Sequence, residues 1–283
     1  MLTVIVENKI YIFDHEFIYV KTLTFEDDVK SISFNSRDGI SLILFTNGKF
    51  ILYDITIDQI IYKFRYQKVI FTFFSLDGSK ILFADTYGIL GNISIIYYIG
   101  KNRIFKILGH RSLETISLNY DGTVLLILNL RKIITKLDVK KCENIGNIYL
   151  DEEIKSLSFI PNGTKILVSF RSKTVMYDIS TYQTTDIYEH SLDGLFCFNP
   201  MNQKLFISRN QHGFTLFNIE LNHKYSDLFY DHPNKIFSSD GTKIISFYDK
   251  TVTIYDIETC CKIKIIKFNG YIEDIASKVN SYI

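Results

Sequence analysis

The residues that could do chemistry in this chain are its carboxylates, six histidines and four cysteines. Their spacing decides which chemistry is open to them. His15, His110, His190, His212, His223 and His232 form no His-x-His pair and no His-Glu-x-x-His run. Local zinc ligation therefore has no ready ligand set. Cys142, Cys197, Cys260 and Cys261 show no Cys-x-x-Cys spacing. That pattern predicts reduced thiols rather than a disulfide framework. Asp-Gly occurs in the segments 37–39, 77–78, 121–122 and 240–241. Calcium needs several carboxylates in one short loop. Each of these loops has one, and hairpin-turn chemistry accounts for it. No Gly-x-Gly-x-x-Gly, Gly-x-x-x-x-Gly-Lys or Gly-x-Ser-x-Gly is present, so neither a phosphate cradle nor a nucleophile elbow is foreshadowed. We expect no catalytic residue, no metal site and no cofactor.

Composition narrows the partners. The formal net charge is +1 over 283 residues. Phosphate binding needs a concentrated basic surface, and basic runs stop at pairs such as Lys140-Lys141. Nucleic acid is not an expected partner. No run of 18 apolar residues occurs, so neither a membrane span nor membrane association is expected. The opening MLTVIVENKIYIFDHE lacks a basic start and a small-residue cleavage site. It is not read as a signal peptide, and an intracellular location, cytoplasmic or nuclear, is expected.

The elements that position these residues repeat. ENKIYIFD ends at Asp14, NGKFILYD at Asp54, RKIITKLD at Asp138, RSKTVMYD at Asp178 and DKTVTIYD at Asp256. QHGFTLFN ends at Asn218, and a degraded copy, DTYGILGN, at Asn92. The successive steps are 40, 38, 46, 40, 40 and 38 residues. A period near 40 with strand alternation marks a four-stranded propeller blade. With 47% hydrophobic and 15% aromatic residues there is ample material for a core. The expected fold is all-β, a single closed seven-bladed β-propeller filling residues 1–283. Its blades are read as 1–28 plus 271–277, 29–67, 68–111, 112–152, 153–190, 191–231 and 232–269.

One unit shows the plan. Ile154 to Phe159 alternates and reads as an inner strand. Pro161-Asn162-Gly163 turns the chain, Thr164 to Phe170 returns, and Val175 to Asp178 follows. Gln183 to Tyr188 is polar, as an outer edge should be. Turn glycines recur at Gly39, Gly78, Gly122, Gly163 and Gly241. The N-terminus supplies three strands and no inner one. The C-terminal run 271–277 has a surplus Ile-x-x-Ile pattern. It is predicted to complete the first blade and remove an open edge.

Residues 106–122, KILGHRSLETISLNYDG, and the strand ends ILYD, TIYD, VMYD and YIFD resemble the WD40 repeat family. Tyr or Phe stands where that family has Trp, and the chain has no Trp. The resemblance spans essentially all 283 residues. It implies a blade-building role for His110, whose Gly109-His110 pair is the one intact copy. Without Trp the family's His-hydroxyl-Asp-Trp network cannot be complete, so apolar packing must hold the blades. Phe170-Arg171-Ser172-Lys173 departs from the Phe-Arg-Arg-Gly of phosphoinositide-binding members. Leu137-Asp138-Val139-Lys140 departs from the Trp-Asp-x-Arg of ubiquitin-ligase receptors, since Lys does not reproduce the planar Arg fork.

The resemblance implies non-catalytic binding of other proteins or peptides, as a scaffold or adaptor, by a monomeric ring or a subunit of a larger complex. Two surfaces are candidates. One is a mixed-charge face with Arg131, Lys132, Asp151, Glu152, Arg171 and Lys173. The other is Tyr97-Tyr98, within the 46-residue step, since Tyr is enriched at interface hot spots. An enzyme with a channel-mouth site and a purely structural part are the alternative classes. Clustered carboxylates would mark the first, and an exposed apolar patch would mark binding.

Overall fold

Stretches rich in Ile, Phe, Tyr and Thr favour extended backbone, and every regular element among the described residues is a strand. The computed structural model describes residues 1–35, 39–64, 69–75, 78–85, 92–98, 103–110, 115–119, 121–129, 131–141, 143–161, 163–188, 196–199, 201, 205–210, 213–218, 223–225, 234–259 and 261–277. Sequence-adjacent strands pair antiparallel, giving seven four-stranded sheets in a β-propeller arrangement.

Five of these sheets are built through all four strands by described side chains. The first is ordered Asp274–Ser277, Leu2–Val6, Lys9–Phe13, Tyr19–Thr24. The others span 29–63, 115–149, 156–188 and 234–267. The expected closed seven-bladed ring is corrected accordingly: the described residues complete five blades. The sheets at 69–110 and 196–225 are described mainly as backbone ladders, with the side chains of 92–98, 103–110, 205–210 and 223–225 outside the described residues. The physical reason is that the period counts strand groups along the chain and does not by itself fix how many are complete as blades.

The first blade takes its inner strand from the other end of the chain. Val4 faces Ile275 and Ile5 faces Asp274 across an antiparallel ladder. Ile275 and Ala276 are buried. One apolar cluster joins Leu2, Val4 and Ile275 to Phe237, Ile245 and Val252 of the 234–267 blade. Another joins Ile5 and Ile10 to Ile32, Phe34 and Ile43 of the 29–63 blade. Burial of such faces is worth about 25 cal/mol per Å².

Polar contacts fix the spacing between blades. At the inner hairpins, Asn35 Nδ2 donates to the Gly78 carbonyl at 3.1 Å, and Asn199 Nδ2 to the Gly241 carbonyl at 2.7 Å. Both asparagines are buried. At the outer turns, Lys21 Nζ donates to the Ile55 carbonyl at 3.0 Å, Lys136 Nζ to Ile179 at 3.2 Å and Lys264 Nζ to Phe17 at 2.9 Å. Each lysine reaches one blade onward in the chain, the 234–267 blade reaching the first.

A third device sits at the turns between second and third strands. Glu7, Gly48, Arg131 and Asp249 all have positive φ, between 54° and 78°. The carbonyl of each accepts from the N–H of a residue at the start of the next inner segment: Val29, Val69, Ile154 and Ile272 respectively. These turns and the entries to the inner strands therefore share one face of the molecule.

Candidate functional site

The recurrent Asp at the end of the third strand is the residue with the most regular chemistry. The structure shows where that chemistry goes. Asp54 Oδ1 accepts from the Thr56 N–H at 2.8 Å, and Asp138 Oδ1 from Lys141 at 2.8 Å. Asp178 Oδ1 accepts from Ser180 and Thr181 at 2.9 and 3.0 Å, and Asp256 Oδ1 from Thr259 at 2.9 Å. Asp14 does the same for Glu16 and Ile18. Each carboxylate caps the turn into its outer strand. The hydroxyl of Ser180 and the N–H groups of this turn hold Asp178 down at about 2. Lys243, 2.7 Å away, and Thr259 hold Asp256 at about 2. Asp178 and Asp256, held in the ionised form as turn acceptors, are unsuited to donate a proton at neutral pH.

The charged face assembles as a cluster. Arg131 and Lys132 occupy a turn, and Asp151, Glu152 and Glu153 the adjoining entry to the next inner strand. The Ile154 N–H donates to the Arg131 carbonyl at 2.6 Å, and the Leu150 N–H to Lys132 at 3.0 Å. Arg131 Nη1 lies 2.7 Å from Glu153 Oε1, and Lys173 Nζ 2.5 Å from Glu152 Oε1. The hydrogen bond and charge of Arg131, then Lys132 and Arg171, hold Glu153 below its ordinary value. The hydrogen bond that Lys173 donates to Glu152 raises its own value. The structure thus brings Arg131, Lys132, Glu152, Arg171 and Lys173 together around Glu153. Asp151 is exposed beside them. All are solvent-facing, so the pairs contribute little stability.

Tyr97 and Tyr98 end the strand Asn92–Tyr98, opposite Ile104 and Arg103 of Arg103–His110. The lengthened region is a long regular strand pair with one irregularity between Ile93 and Ile95. The two tyrosine side chains, and that of His110, lie outside the described residues. His190, His212, His232, Cys142 and Cys260 lie outside them entirely, as do Asp38 and Asp77 of the Asp-Gly segments. His15 is exposed, Cys197 is a buried free thiol and Cys261 an exposed one. Burial pushes Cys197 up to about 11, away from the thiolate form that nucleophilic chemistry needs. Among the described residues, no group of three His, Cys, Asp or Glu side chains could hold a metal ion. No described helix is long and apolar enough to cross a membrane.

A cleft that the sequence reading missed lies between the first blade and the 29–63 blade. It encloses about 450 Å³. Phe25, Phe45, Phe50, Ile51, Ile60 and Phe64 form its apolar wall. Phe50 stacks on Phe64 with ring centroids 4.2 Å apart. Glu26 and Asp27 stand on the side of the first blade, and Lys49 and Lys63 on the other. Lys49 pairs with Asp27 at 3.4 Å. Asn47 is the main cause of the lowered Asp27 value, with Lys49 adding to it. Ile60 of the cleft wall and its strand neighbours Ile61 and Tyr62 are 43%, 47% and 44% exposed. The available signal was Gln59-Ile60-Ile61-Tyr62-Lys63, an outer strand with three successive apolar residues where the other outer strands carry charge or glycine. No family model matches this chain, and no curated protein matches it.

Proposed function

We propose that this chain is a non-catalytic interaction scaffold, a β-propeller of the WD-repeat kind that lacks Trp, and that it docks other proteins or peptides. The observation that carries the reading is the aromatic-walled cleft of about 450 Å³ beside a rim of exposed Ile and Tyr. Apolar surface left open beside a concave site is the usual mark of a docking surface. The regular carboxylates support the same reading, because turn capping already occupies them. The period near 40 and the aromatic-Asp strand ends support the WD-repeat kind. Free thiols at Cys197 and Cys261 go with a reducing compartment. The mixed-charge face around Glu153 then sets encounter rate and orientation more than affinity.

The test is affinity capture on the full chain with mass spectrometry, alongside a variant with Arg131→Glu and Lys132→Glu. We expect a reproducible set of proteins, captured more slowly by the variant. Recovery of nothing above background, in extracts where the chain is natively expressed, would overturn the scaffold reading.

A further inference from the structure

We propose that the outer strand Gln59–Lys63 binds an extended peptide segment by strand addition. The bound segment places a bulky apolar side chain in the adjoining cleft, a carboxylate at Lys63 and a basic group at Glu26. The proposal rests on the scaffold reading and names the kind of partner and its mode of binding.

Four observations converge. First, among the described residues Gln59–Lys63 pairs on one side only, with Phe50–Asp54. All five of its residues are exposed. The Phe64 N–H is used by the Phe50 carbonyl at 3.2 Å. Main-chain groups alternate sides along an antiparallel ladder, so those of Lys63 turn outward.

Second, this edge shares the ladder irregularity of its counterparts but lacks the interior charge or glycine they carry. The interior of Tyr19–Thr24 holds Lys21, that of Glu143–Tyr149 holds Gly146, that of Thr184–Tyr188 holds Asp186 and that of Lys262–Lys267 holds Lys264. Inward charges, lysines and interruptions are how edges resist pairing. Single apolar residues are as exposed on those edges, Ile187 at 56% and Ile263 at 50%, but Gln59–Lys63 has the unbroken run Ile60, Ile61 and Tyr62, each more than 40% exposed.

Third, a cleft adjoins the strand, sharing Ile60, Lys63 and the following Phe64 with it. Main-chain pairing gives affinity in strand addition, and a pocket for alternate side chains gives specificity. Fourth, the cleft is electrically two-sided. Asp27 and Lys49 pair with each other. Among the described residues Lys63 and Glu26 have no ion pair, and they stand on opposite walls. A segment with opposite charges flanking apolar residues complements both.

The experiment is selection of a random heptapeptide display library on the immobilised full chain, with the selected peptide then synthesised as the probe. We expect alternating apolar residues with at least one acidic and one basic position. Ile61→Lys should weaken the probe about tenfold or more, with unchanged melting as the folding control. Lys63→Glu should do the same, and reselection on it should exchange the acidic position for a basic one. N-methylation of alternate probe amides should abolish binding, an effect that cleft packing alone would not give. Binding indifferent to Ile61→Lys and to N-methylation would overturn strand addition. If captured proteins then remain sensitive to Arg131 and Lys132 reversal, the scaffold reading survives without it. Sedimentation showing a concentration-dependent dimer that Ile61→Lys dissolves would also overturn the proposal, in favour of a second copy as the occupant.

Discussion

At the inner hairpins the buried Asn199 amide donates to the Gly241 carbonyl of the next blade at 2.7 Å. At the rim of the 29–63 blade, Ile60, Ile61 and Tyr62 stand 43–47% exposed. Polar groups are thus buried near the centre and apolar groups left open at the edge. The inversion follows from blade geometry. Turns of neighbouring blades meet at the inner hairpins, so each amide there must find a partner or lose its hydration at a cost. Outer strands meet solvent, so apolar groups there are tolerated. Their presence calls for a cause other than stability.

The largest expected effect comes from removing the centre's own strand. Deleting 270–283 strips Asp274–Ser277 from Leu2–Val6 and uncovers the faces that Ile272, Ile275 and Ala276 bury. Two buried isoleucines and an opened ladder are worth about 5 kcal/mol or more. Melting should fall by about 10 °C or more, with loss of solubility from the open edge. A truncated chain that melts like the full one would break the contrast between a fixed centre and a tolerant rim.

Next comes Gly241→Ala. Gly241 has φ +67°, and an added Cβ would lie 2.2 Å from Asn199 Oδ1. Left-handed strain and the displaced buried amide together should cost about 2–4 kcal/mol. Combining it with Asn199→Ala sharpens the point. The double variant should cost less than the sum of the single ones, because removing Asn199 removes the clash. Additive losses in chemical denaturation would show that the two sites do not act together.

Much of this centre was legible in the sequence. Asp54 and Asp178 fell on the period, and Gly122, Gly163 and Gly241 occupy turns with φ between 65° and 73°. Ile272 and Ile275 announced the returning strand. Repetition made them visible, since each unit checks the others. Gly39 was read in the same way, yet it is not among the glycines with positive φ. The cleft was not legible, because Phe25 and Phe64 meet only when two blades pack, and no local pattern encodes that junction. The pairing of Arg131 with Glu153 was not legible either, since nothing in the spacing joins residues 22 apart.

A third test uses pH. Asp274 begins the returning strand and is partly open to solvent. Enough protein surrounds it that burial pushes its carboxyl up to about 7, against the Ile275 N–H bond that lowers it. The folded chain then holds a proton between about pH 4 and 7 that the unfolded chain releases. Stability from this group is full below about 4, declines as pH rises towards 7 and is lost above it. The loss is at most about 4 kcal/mol. Asp274→Asn should raise stability at pH 8 more than at pH 5. Equal changes at both would mean that the carboxyl titrates normally and that the centre tolerates charge there.

The smallest effect on stability is expected at the rim, and it is the one on which the comparison turns. Lys262–Lys267 and Gln59–Lys63 hold the same outer position in their blades. Lys264 of the former reaches the Phe17 carbonyl at 2.9 Å, so its side chain spans two blades. Ile61 of the latter is 47% exposed, at the irregularity between the Tyr53–Ile60 and Leu52–Tyr62 pairs. Lys264→Ile should therefore cost about 1 kcal/mol through the lost hydrogen bond. Ile61→Lys should change stability by no more than about 0.5 kcal/mol in either direction. Urea denaturation of the two variants reads both numbers. If Ile61→Lys costs as much as Lys264→Ile, the isoleucine supports the blade, and the exposed rim becomes a by-product of folding. If Ile61→Lys is neutral, packing does not require the isoleucine, and the exposed run Ile60-Ile61-Tyr62 is left open to a partner strand.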